Sequence, residues 1–405
     1  MSRPSRRSSS RAPKPPTQWT WGSAVIFLLI LAAWAFFTYG GDDGSTTGAP
    51  TAVPEQAQQQ PTFRSGRPST VPTTAGVAPA SNWQLFFTTP RYPDLPAYHN
   101  GGLDERLVAF INTADTTVDI AIYDFDLENV AQALADAKAR GVRVRMVTDT
   151  DTVTNDDEAI QATFAIVKKA RIPVVEDDRG PIMHNKFVVV DNEAVLTGSW
   201  NFTDGDTYRL NNHAIILESA ELATNYTTEF EKMFVARTFG PNKTPGVPHP
   251  RLTLNGAPAE NYFAAEDDVA DKILPHLQAA KRSIDFMAFS FTSDEIGAAV
   301  RERGAAGVTV RGVFETTGSQ TQYSEFKPMQ AAGLEVYTDG SPYVMHHKVF
   351  IIDGETVIFG SYNFSDNADT QNDENLLIIR DENLAQQFTA EFERMRNIAR
   401  NPLKK

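Results

Sequence analysis

An internal repeat constrains the fold of this chain more than any other feature of its sequence. Thr117–Tyr123 (TVDIAIY) parallels Ser283–Phe289 (SIDFMAF), and both segments are rich in the β-branched and aromatic residues that favour strands. Each is followed by a helical stretch, Leu127–Arg140 or Asp294–Arg303, and then by a glycine that begins a second strand, GVRVRMVTD or GVTVRGVFE. So many matches in the same order indicate a duplicated unit.

Two later segments repeat even more closely. Another helix and a short strand follow in each half (Ile172–Glu176 and Leu334–Tyr337), and the chain then reads MHNKFVVVDNEAVLTGSWNFT from Met183 and MHHKVFIIDGETVIFGSYNFS from Met345. The stretch between the first matching strand and this block is slightly shorter in the second half, so the halves differ in a loop. Strands that alternate with helices predict an α/β fold in which each half has a mixed or largely parallel sheet covered by helices.

The N-terminal part of the chain, before Trp83, differs in composition from the rest. Residues 1–18 carry five basic groups and no acid, and residues 19–40, which begin WTWGSAVIFLLILAAWAFFTY, are long and apolar enough to span a bilayer as a helix. The positive-inside rule then predicts a cytoplasmic N-terminal tail, with the rest of the chain after the span extracytoplasmic. A cleaved signal peptide, which would make the protein secreted, is the alternative. Residues 41–82 are rich in Pro, Thr, Gln and Ala and are predicted to be a disordered linker.

The repeat assigns a first domain to residues 83–245 and a second to residues 246–405.

Charge and cysteine content exclude several kinds of function. Five of the 37 basic residues lie in the N-terminal tail, which leaves 32 against 51 acidic residues in the remainder. This balance is unfavourable for long-range attraction to nucleic-acid backbones, although a local basic groove could still exist. The absence of cysteine excludes disulfides, cysteine-zinc sites and thiol catalysis.

Each repeated block contains the same polar residues in the same order: His-x-Lys, four mostly apolar residues, Asp, six residues, and then Gly-Ser-x-Asn. The polar residues are His184, Lys186, Asp191, Ser199 and Asn201 in the first block and His346, Lys348, Asp353, Ser361 and Asn363 in the second. The His-x-Lys spacing puts both side chains on the same side of an extended segment. Glycine beside Ser and Asn suits a tight turn that directs an amide and backbone N–H groups to one point.

These residue types fit attack on a phosphodiester. Lysine neutralises the non-bridging oxygens, asparagine donates a neutral hydrogen bond, and imidazole serves as nucleophile or as acid because its pKa lies near neutrality. One His-x-Lys would usually be a solvated surface pair, but two copies at equivalent positions of a repeat indicate catalysis. Asp149 and Asp151 lie near a strand end, yet no compact ligand pattern surrounds them. We therefore predict a site with neither metal nor cofactor.

The duplicated HxKxxxxD…GSxN element resembles that of the phospholipase D superfamily, and the resemblance covers roughly Trp83 to Ile398. It implies two similar halves packed about a pseudo-two-fold axis, with one active site made by both motifs. It also implies a two-step reaction, in which His184 attacks phosphorus to form a phosphohistidine and His346 protonates the leaving alcohol. Water, or a second alcohol, then releases the product. The resemblance assigns the two lysines and Asn201 and Asn363 to catalysis, and Ser199 and Ser361 to substrate binding.

The resemblance further implies a carboxylate downstream of the motif. Glu374, in the segment DENLLII that follows the second block, fits this role, but whether it contacts His346 or His184 stays open. The equivalent of Glu374 in the first half is Asn212, with His213 beside it. Asn212 is assigned to the site as an orienting or substrate-binding amide, and the alternative is a polar strand end. Asp191 and Asp353 are included in the catalytic set, although the residues themselves favour a role in closing the strand.

The leading prediction is a membrane-anchored phospholipase D that hydrolyses phosphatidyl lipids and acts as a monomer, since both motifs lie in one chain. The alternatives are a metal-independent endonuclease of the same superfamily and a cardiolipin-synthase-like phosphatidyltransferase. A scaffold that has lost catalysis is a fourth class, and the intact histidines argue against it. Aromatic residues near the motifs are predicted to pack in the core, with the lining of a substrate pocket as the alternative; they are Trp200, Phe202, Tyr343, Tyr362 and Phe364.

Overall fold

The computed structural model describes residues 82–402. The predicted tail (1–18), transmembrane helix (19–40) and linker (41–82, apart from its last residue) lie outside this range and stay predictions. Between residues 82 and 402, no helix is both long enough and apolar enough to cross a membrane.

The first half is built on a seven-stranded mixed sheet with the strand order β1-β7-β6-β5-β2-β3-β4. Strands β2, β3 and β4 run parallel to one another, and all other neighbours in this sheet are antiparallel. The strands are β1 (Trp83–Phe87), β2 (Thr117–Ile122), β3 (Arg143–Thr148), β4 (Val174–Glu176), β5 (Lys186–Val190), β6 (Ala194–Gly198) and β7 (His213–Glu218).

The second half repeats this arrangement in an eight-stranded sheet with the order β12-β11-β10-β13-β14-β15-β9-β8. Here β9 takes the place that β1 has in the first sheet, and β8 adds an edge strand. The strands are β8 (Arg251–Leu254), β9 (Ala257–Ala264), β10 (Ser283–Ala288), β11 (Thr309–Phe314), β12 (Glu335–Thr338), β13 (Lys348–Ile352), β14 (Thr356–Gly360) and β15 (Glu374–Arg380).

Helices connect the parallel strands and cover the sheets. They are α1 (Leu103–Asn112), α2 (Glu128–Ala139), α3 (Thr150–Val153), α4 (Glu158–Lys169), α5 (Asp204–Tyr208), α6 (Ala220–Phe234), α7 (Val269–Ala279), α8 (Asp294–Ala305), α9 (Thr316–Ser319), α10 (Phe326–Ala331), α11 (Asp366–Thr370) and α12 (Glu382–Arg400). Side chains cap the two long helices that follow the last strand of each sheet. Ser219 accepts a hydrogen bond from the Leu222 N–H of α6, and Asp381 accepts from the Asn383 and Leu384 N–H groups of α12.

The hydrophobic core joins the two halves. Strands β5 and β13 are buried along their whole length, as strands covered on both faces must be. One cluster of buried side chains contains residues of both sheets and of α6 and α12, whereas two further clusters lie under the other helices of each half. The predicted α/β fold with two similar mixed sheets is confirmed. The domain boundaries at 245/246 stay a prediction, because a shared core does not divide there.

Candidate active site

Each His-x-Lys motif is held in place by the opposite half. Met183 pairs with Asp373, and Met345 pairs with Asn211, as isolated β-bridges between the halves. The His346 N–H donates to the Asn211 carbonyl at 2.9 Å, and the Asp373 N–H donates to the Ile182 carbonyl at 3.0 Å. Strands β5 and β13 begin at the motif lysines, two residues after the motif histidines. Both motifs therefore meet where the two halves join.

The Nδ1 atoms of the two motif histidines have partners that cross this junction. Glu374 Oε2 lies 3.1 Å from His184 Nδ1, within ion-pair distance although the angle does not make a hydrogen bond, so of the two histidines left open by the sequence Glu374 faces the one in the opposite half. His346 Nδ1 lies 2.9 Å from the amide oxygen of Asn212 and 3.4 Å from a carboxylate oxygen of Asp206. Asn212 is fully buried. It contacts a motif histidine, as an orienting amide does, and its predicted contact with substrate stays a prediction.

Asp206 is a site residue that sequence reasoning missed. Its equivalent in the second half is Ala368, so comparison of the repeats gave no reason to select it. In the structure its Oδ1 accepts a hydrogen bond from the Asn201 N–H at 3.0 Å, just as Glu374 Oε2 accepts from the Asn363 N–H at 3.2 Å. One signal in the sequence could have identified Asp206. It is an acid in the first turn of α5, shortly after GSWN, and from this position its carboxylate can contact the motif.

The two motif lysines are buried without an anionic partner. Lys186 is 1% exposed and Lys348 is 0% exposed. The Nζ of each donates to the carbonyl oxygen of its own motif histidine, at 3.0 Å for Lys186 and 2.9 Å for Lys348. Among residues 82–402, neither lysine has a carboxylate oxygen within ion-pair distance. Burial lowers the pKa of Lys186 to about 7 and also lowers that of Lys348, which Lys186 lowers further. A bound anion would stabilise both charges.

The titratable groups of the two halves differ. Burial and the nearby Lys348 lower the pKa of His346 to about 3, and burial together with Lys186 lowers that of His184, so both rings are neutral in the empty site. Burial raises the pKa of Glu374 to about 8 in spite of Lys186. Burial alone would raise the pKa of Asp206, but the contact with His346, the Asn201 N–H and the nearby Lys186 together outweigh it and lower that pKa. Asp206 is therefore the carboxylate that stays ionised at neutral pH.

Two aromatic rings and two amides complete the arrangement. The Tyr123 ring lies edge-on to His184 at 5.3 Å between centroids, and Phe289 lies edge-on to His346 at 4.6 Å. Both follow the repeated strands β2 and β10 directly, and this equivalence could have identified them from sequence. The amide oxygens of Asn201 and Asn363 have no hydrogen-bond partner within the described part of the chain. Because unpaired buried amides are costly, these groups are available for a polar ligand.

Asp191 and Asp353 lie away from the motif histidines, at the far ends of β5 and β13. Asp191 accepts hydrogen bonds from the N–H groups of residues 115, 116 and 117 at 2.7–2.9 Å, and Asp353 accepts from those of residues 281, 282 and 283 at 2.6–3.2 Å. These bonds lower the pKa of both carboxyls despite their partial burial. Their inclusion in the catalytic set is corrected: they join the strand end to the preceding loop.

Ser199 and Ser361 lie beneath the site and are fully buried. The Ser199 hydroxyl donates to Asn212 at 2.8 Å, and the Ser361 hydroxyl accepts from the Asn375 N–H at 3.0 Å. These contacts support the turn, and the predicted substrate contact of the two serines stays a prediction. The preceding glycine is required by close approach, since a Cβ on Gly198 would lie 2.2 Å from the His213 carbonyl oxygen. The neighbouring aromatic residues are buried in the core apart from Tyr343, which is half-buried; the buried ones are Trp200, Phe202, Tyr362 and Phe364.

One cluster outside the motifs has the residue types of a cation site. Asp94, His99 and Asp204 each offer one ligand atom, and these atoms lie within 4.8 Å of one another. The groups already neutralise one another: His99 contacts Asp94 at 2.7 Å and Asp204 at 3.2 Å, and Arg209 contacts Asp94 at 3.3 Å. None of them belongs to the repeated blocks.

A buried ionic network supports the segment that carries Glu374. Lys243 is fully buried and lies 2.7 Å from Asp373 and 3.0 Å from Glu266; it also contacts Glu229. Asp373 in turn accepts from the Gly240 N–H at 2.8 Å and contacts Arg179. Lys243 thus contacts three carboxylates next to Glu374, and Arg179 and Lys232 complete the network through Asp373 and through Glu229 and Glu266.

Replacing Lys243 with methionine should destabilise the fold by about 3 kcal/mol, because three buried carboxylates would lose their most buried cation and keep only Arg179 and Lys232. Urea unfolding followed by tryptophan fluorescence measures this change. The exposed Lys168→Met variant is the control and should stay within about 0.5 kcal/mol of the parent. Equal stability of the two variants would contradict the role given to Lys243.

Comparison with known proteins places these features in a family. A protein-family model described as "Cardiolipin synthase, PLD-like domain" matches residues 107–234 and 273–396, which together make up more than half of the chain. Both matches contain a complete His-x-Lys…Gly-Ser-x-Asn block.

Relatives match one repeat or the whole fold. A mitochondrial cardiolipin hydrolase of Chlamydomonas reinhardtii is 34% identical over 31% of this chain and 56% of its own length. A phospholipase D of Rickettsia bellii is 30% identical over 36% of this chain and 72% of its own length. The chain spans about half to two thirds of the cardiolipin hydrolases it matches. The crystal structure of phosphatidylserine synthase from Haemophilus influenzae covers 78% of this chain and 85% of its own, with a TM-score of 0.57 and 13% identity, which shows a shared fold.

Proposed function

Because this chain belongs to the family described as cardiolipin synthase, PLD-like domain, we propose that it is a phospholipase D-type phosphodiesterase that hydrolyses phosphatidyl lipids. The observation that carries the proposal is the pair of buried lysines, Lys186 and Lys348, which lie beside two motif histidines and have no carboxylate within ion-pair distance in residues 82–402. A phosphodiester supplies the missing negative charge and presents its phosphorus to imidazole on both sides.

The reaction proceeds in two steps. In the first, His184 Nε2 attacks phosphorus, the bond from phosphorus to the alcohol oxygen breaks, and His346 gives its Nε2 proton to that oxygen. In the second, His346 takes a proton from water, the water oxygen attacks phosphorus, and the bond from phosphorus to His184 breaks. Lys186, Lys348, Asn201 and Asn363 hold the non-bridging oxygens throughout.

The division of roles follows from the two carboxylates. His346 acts as the acid because the ionised Asp206, 3.4 Å from its Nδ1, stabilises the imidazolium form. Substrate binding assists, since a phosphodiester anion offsets the lysine charge that lowers the pKa of His346 in the empty site. Glu374, whose pKa is raised to about 8, faces His184 and leaves that ring with less negative charge beside it.

A lipid is the proposed diester for three reasons. Two relatives are named for acting on lipids, a cardiolipin hydrolase and a phospholipase D. The net negative charge of the chain beyond the N-terminal tail is unfavourable for binding polynucleotides. The span predicted at residues 19–40 would keep the catalytic region beside a bilayer, with that region extracytoplasmic. Both motifs lie in one chain, so we propose that the monomer is active.

Purified full-length protein in EDTA, supplied with phosphatidylcholine, phosphatidylglycerol and cardiolipin vesicles and, separately, with single-stranded DNA, tests the proposal. We expect headgroup release and phosphatidate formation at least about tenfold above an Asn-substituted His184 control. Added ethanol distinguishes hydrolysis from transfer, because transfer yields phosphatidylethanol.

DNA cleavage without lipid turnover would make the protein a nuclease and overturn the lipid assignment. Equal lipid turnover by the His184 control would overturn the assignment of His184 as the nucleophile. Activity that EDTA abolishes would contradict the metal-independent mechanism.

A further inference from the structure

Two side-chain pairs join the halves behind the motif histidines. In the first pair, here called the asparagine tie, Asn375 Nδ2 donates to Asn185 Oδ1 at 3.1 Å. In the second, the histidine tie, His213 Nδ1 lies 3.0 Å from His347 Nδ1. When the two repeated blocks are aligned, His213 corresponds to Asn375 and His347 to Asn185. All four residues are fully buried. The two halves thus use different chemistry for the same connection.

The surroundings of each tie match its chemistry. Around the asparagine tie, Thr197 and Tyr226 donate their hydroxyls to Asn375 Oδ1 at 3.0 and 3.2 Å. Their equivalents around the histidine tie are Phe359 and Phe388, which present ring edges to His213 at 5.7 and 5.2 Å between centroids. Hydroxyl donors therefore accompany the amides, and aromatic rings accompany the imidazoles, which indicates that each tie is a built feature of its half.

Hydrogen-bond partners assign the protons of the histidine tie. His347 Nε2 lies 3.0 Å from Glu391 Oε1, and Arg394 holds the same carboxylate at 2.6 Å. A carboxylate accepts only, so His347 carries its proton on Nε2, and its Nδ1 accepts from His213 Nδ1–H. His213 Nε2 is then unprotonated, and it has no partner among the described residues. The connection requires both rings to be neutral, or a proton on His213 Nε2 alone.

The tie lies directly behind the proposed acid. His347 stands between His346 and Lys348 in sequence, and His213 follows Asn212, whose amide oxygen contacts His346 Nδ1. The His213 carbonyl also accepts from the Ser199 N–H at 3.1 Å, which fixes the Gly-Ser-x-Asn turn. Displacing either imidazole moves the segments on both sides of His346.

We propose that His213 and His347 are positioning residues that hold His346 against Asn212. At low pH the hydrogen bond of the histidine tie is lost, whereas the hydrogen bond of the asparagine tie is kept. The proposal rests on the function proposed above. When both rings bind a second proton, two Nδ1–H donors face each other at 3.0 Å and the hydrogen bond is lost. The charged and titratable groups that face the pair are Glu391 and Arg394 on α12 and His346 and Lys348 beside β13, whereas β1 and β14 contribute Phe87 and Phe359.

The direction of the pH effect follows from burial. Burial lowers the pKa of His213, with a further contribution from His347, and burial lowers the pKa of His347 although Glu391 opposes it. In the unfolded chain both rings have ordinary pKa values near 6.5. Below that pH the unfolded state binds more protons than the folded state, so the stability of the fold decreases as the pH falls.

Two variants of the full chain, in detergent, test the proposal. The first transplants the asparagine tie by combining His213→Asn, His347→Asn, Phe359→Thr and Phe388→Tyr. The second, His213→Phe, keeps a ring but removes the donor. Thermal unfolding from pH 7 to pH 5 is recorded for both, with His276→Asn, on the half-exposed face of α7, as the control for the loss of a histidine.

We expect the transplant to weaken the pH dependence of unfolding by up to two bound protons and to keep kcat at pH 7 within about threefold of the parent. His213→Phe should lower kcat about tenfold or more without a matching change in KM, and the acid limb of the kcat profile should move to lower pH only in the transplant.

An unchanged pH dependence in the transplant, or full activity of His213→Phe, would overturn the positioning role. If the transplant does not fold, the activity of His213→Phe alone still tests the positioning role. If the parent turns over no diester, the proposed function fails, and the unfolding experiment still reports on the tie.

Discussion

Replacing His184 or His346 with asparagine is expected to lower turnover of phosphatidyl lipid by about 10³-fold or more, the largest effect predicted for any single residue. Both rings are nearly inaccessible, at 5% and 3% exposure, and no other imidazole occupies an equivalent position in a motif. Steady-state headgroup release from vesicles measures the loss. Turnover within tenfold of the parent for either variant would make the two-histidine mechanism wrong.

A change of leaving group separates the two roles. An aryl diester that releases p-nitrophenolate needs little protonation, so the acid should matter less for it. We expect His346→Asn to release about one equivalent of p-nitrophenolate in a rapid first turnover, because only the second step then still lacks its proton acceptor, and His184→Asn to release none. The opposite pattern would exchange the nucleophile and the acid. His249→Asn, outside both motifs, serves as the matched control and should resemble the parent on both substrates.

The second large effect concerns Asp206. Removing its carboxylate as Asp206→Ala should lower kcat about 10²-fold, because the His346 imidazolium would lose the one ionised carboxylate beside it. Adding Asn212→Glu to this variant reproduces the Ala368 and Glu374 pattern of the other half. Because burial raises the pKa of Glu374 to about 8, the added carboxyl should recover most of the loss only above that pH. The readouts are kcat and the melting temperature, measured together.

Controls make this test specific to the charge at His346. Asp204→Ala removes an adjacent acid that contacts Arg209 and His99, and it should leave kcat within about twofold of the parent. Asp206 also accepts the Asn201 N–H, so a loss of melting temperature is expected with Asp206→Ala. Recovery of stability without recovery of kcat in the double variant would contradict the role of Asp206 as the partner of the acid.

Duplication made most of the fold predictable. A strand was expected at Thr117–Tyr123 and is observed at Thr117–Ile122. In the second half a strand was expected at Ser283–Phe289 and is observed at Ser283–Ala288. Buried strands of β-branched residues, helices that end before glycine, and two independent copies of each element left little freedom. The predictions for residues 1–81 were made from the same kind of evidence, and the structure does not describe that part.

The site was less predictable because its contacts cross between halves. Spacing along the chain identifies Glu374, but only tertiary packing decides that it faces His184. Asp206 was not predicted because comparison of the repeats selects only residues that are the same in both halves. Its equivalent in the second half is an alanine. Asp191 and Asp353 show the converse, since repetition there reflects a strand end joined to its loop.

The crossed pairing has a consequence for the order in which the protein is made. A ribosome that has finished β7 has produced His184, Lys186 and Asn201, yet the carboxylate for His184 comes from β15, the last strand of the second sheet to be synthesised. Until β15 has been made, His184 lacks the carboxylate of Glu374. The proposed site can therefore be complete only after β15, which pairs with β14 and β9, has joined the second sheet. A nascent chain that ends before β15 has an incomplete site for the proposed reaction.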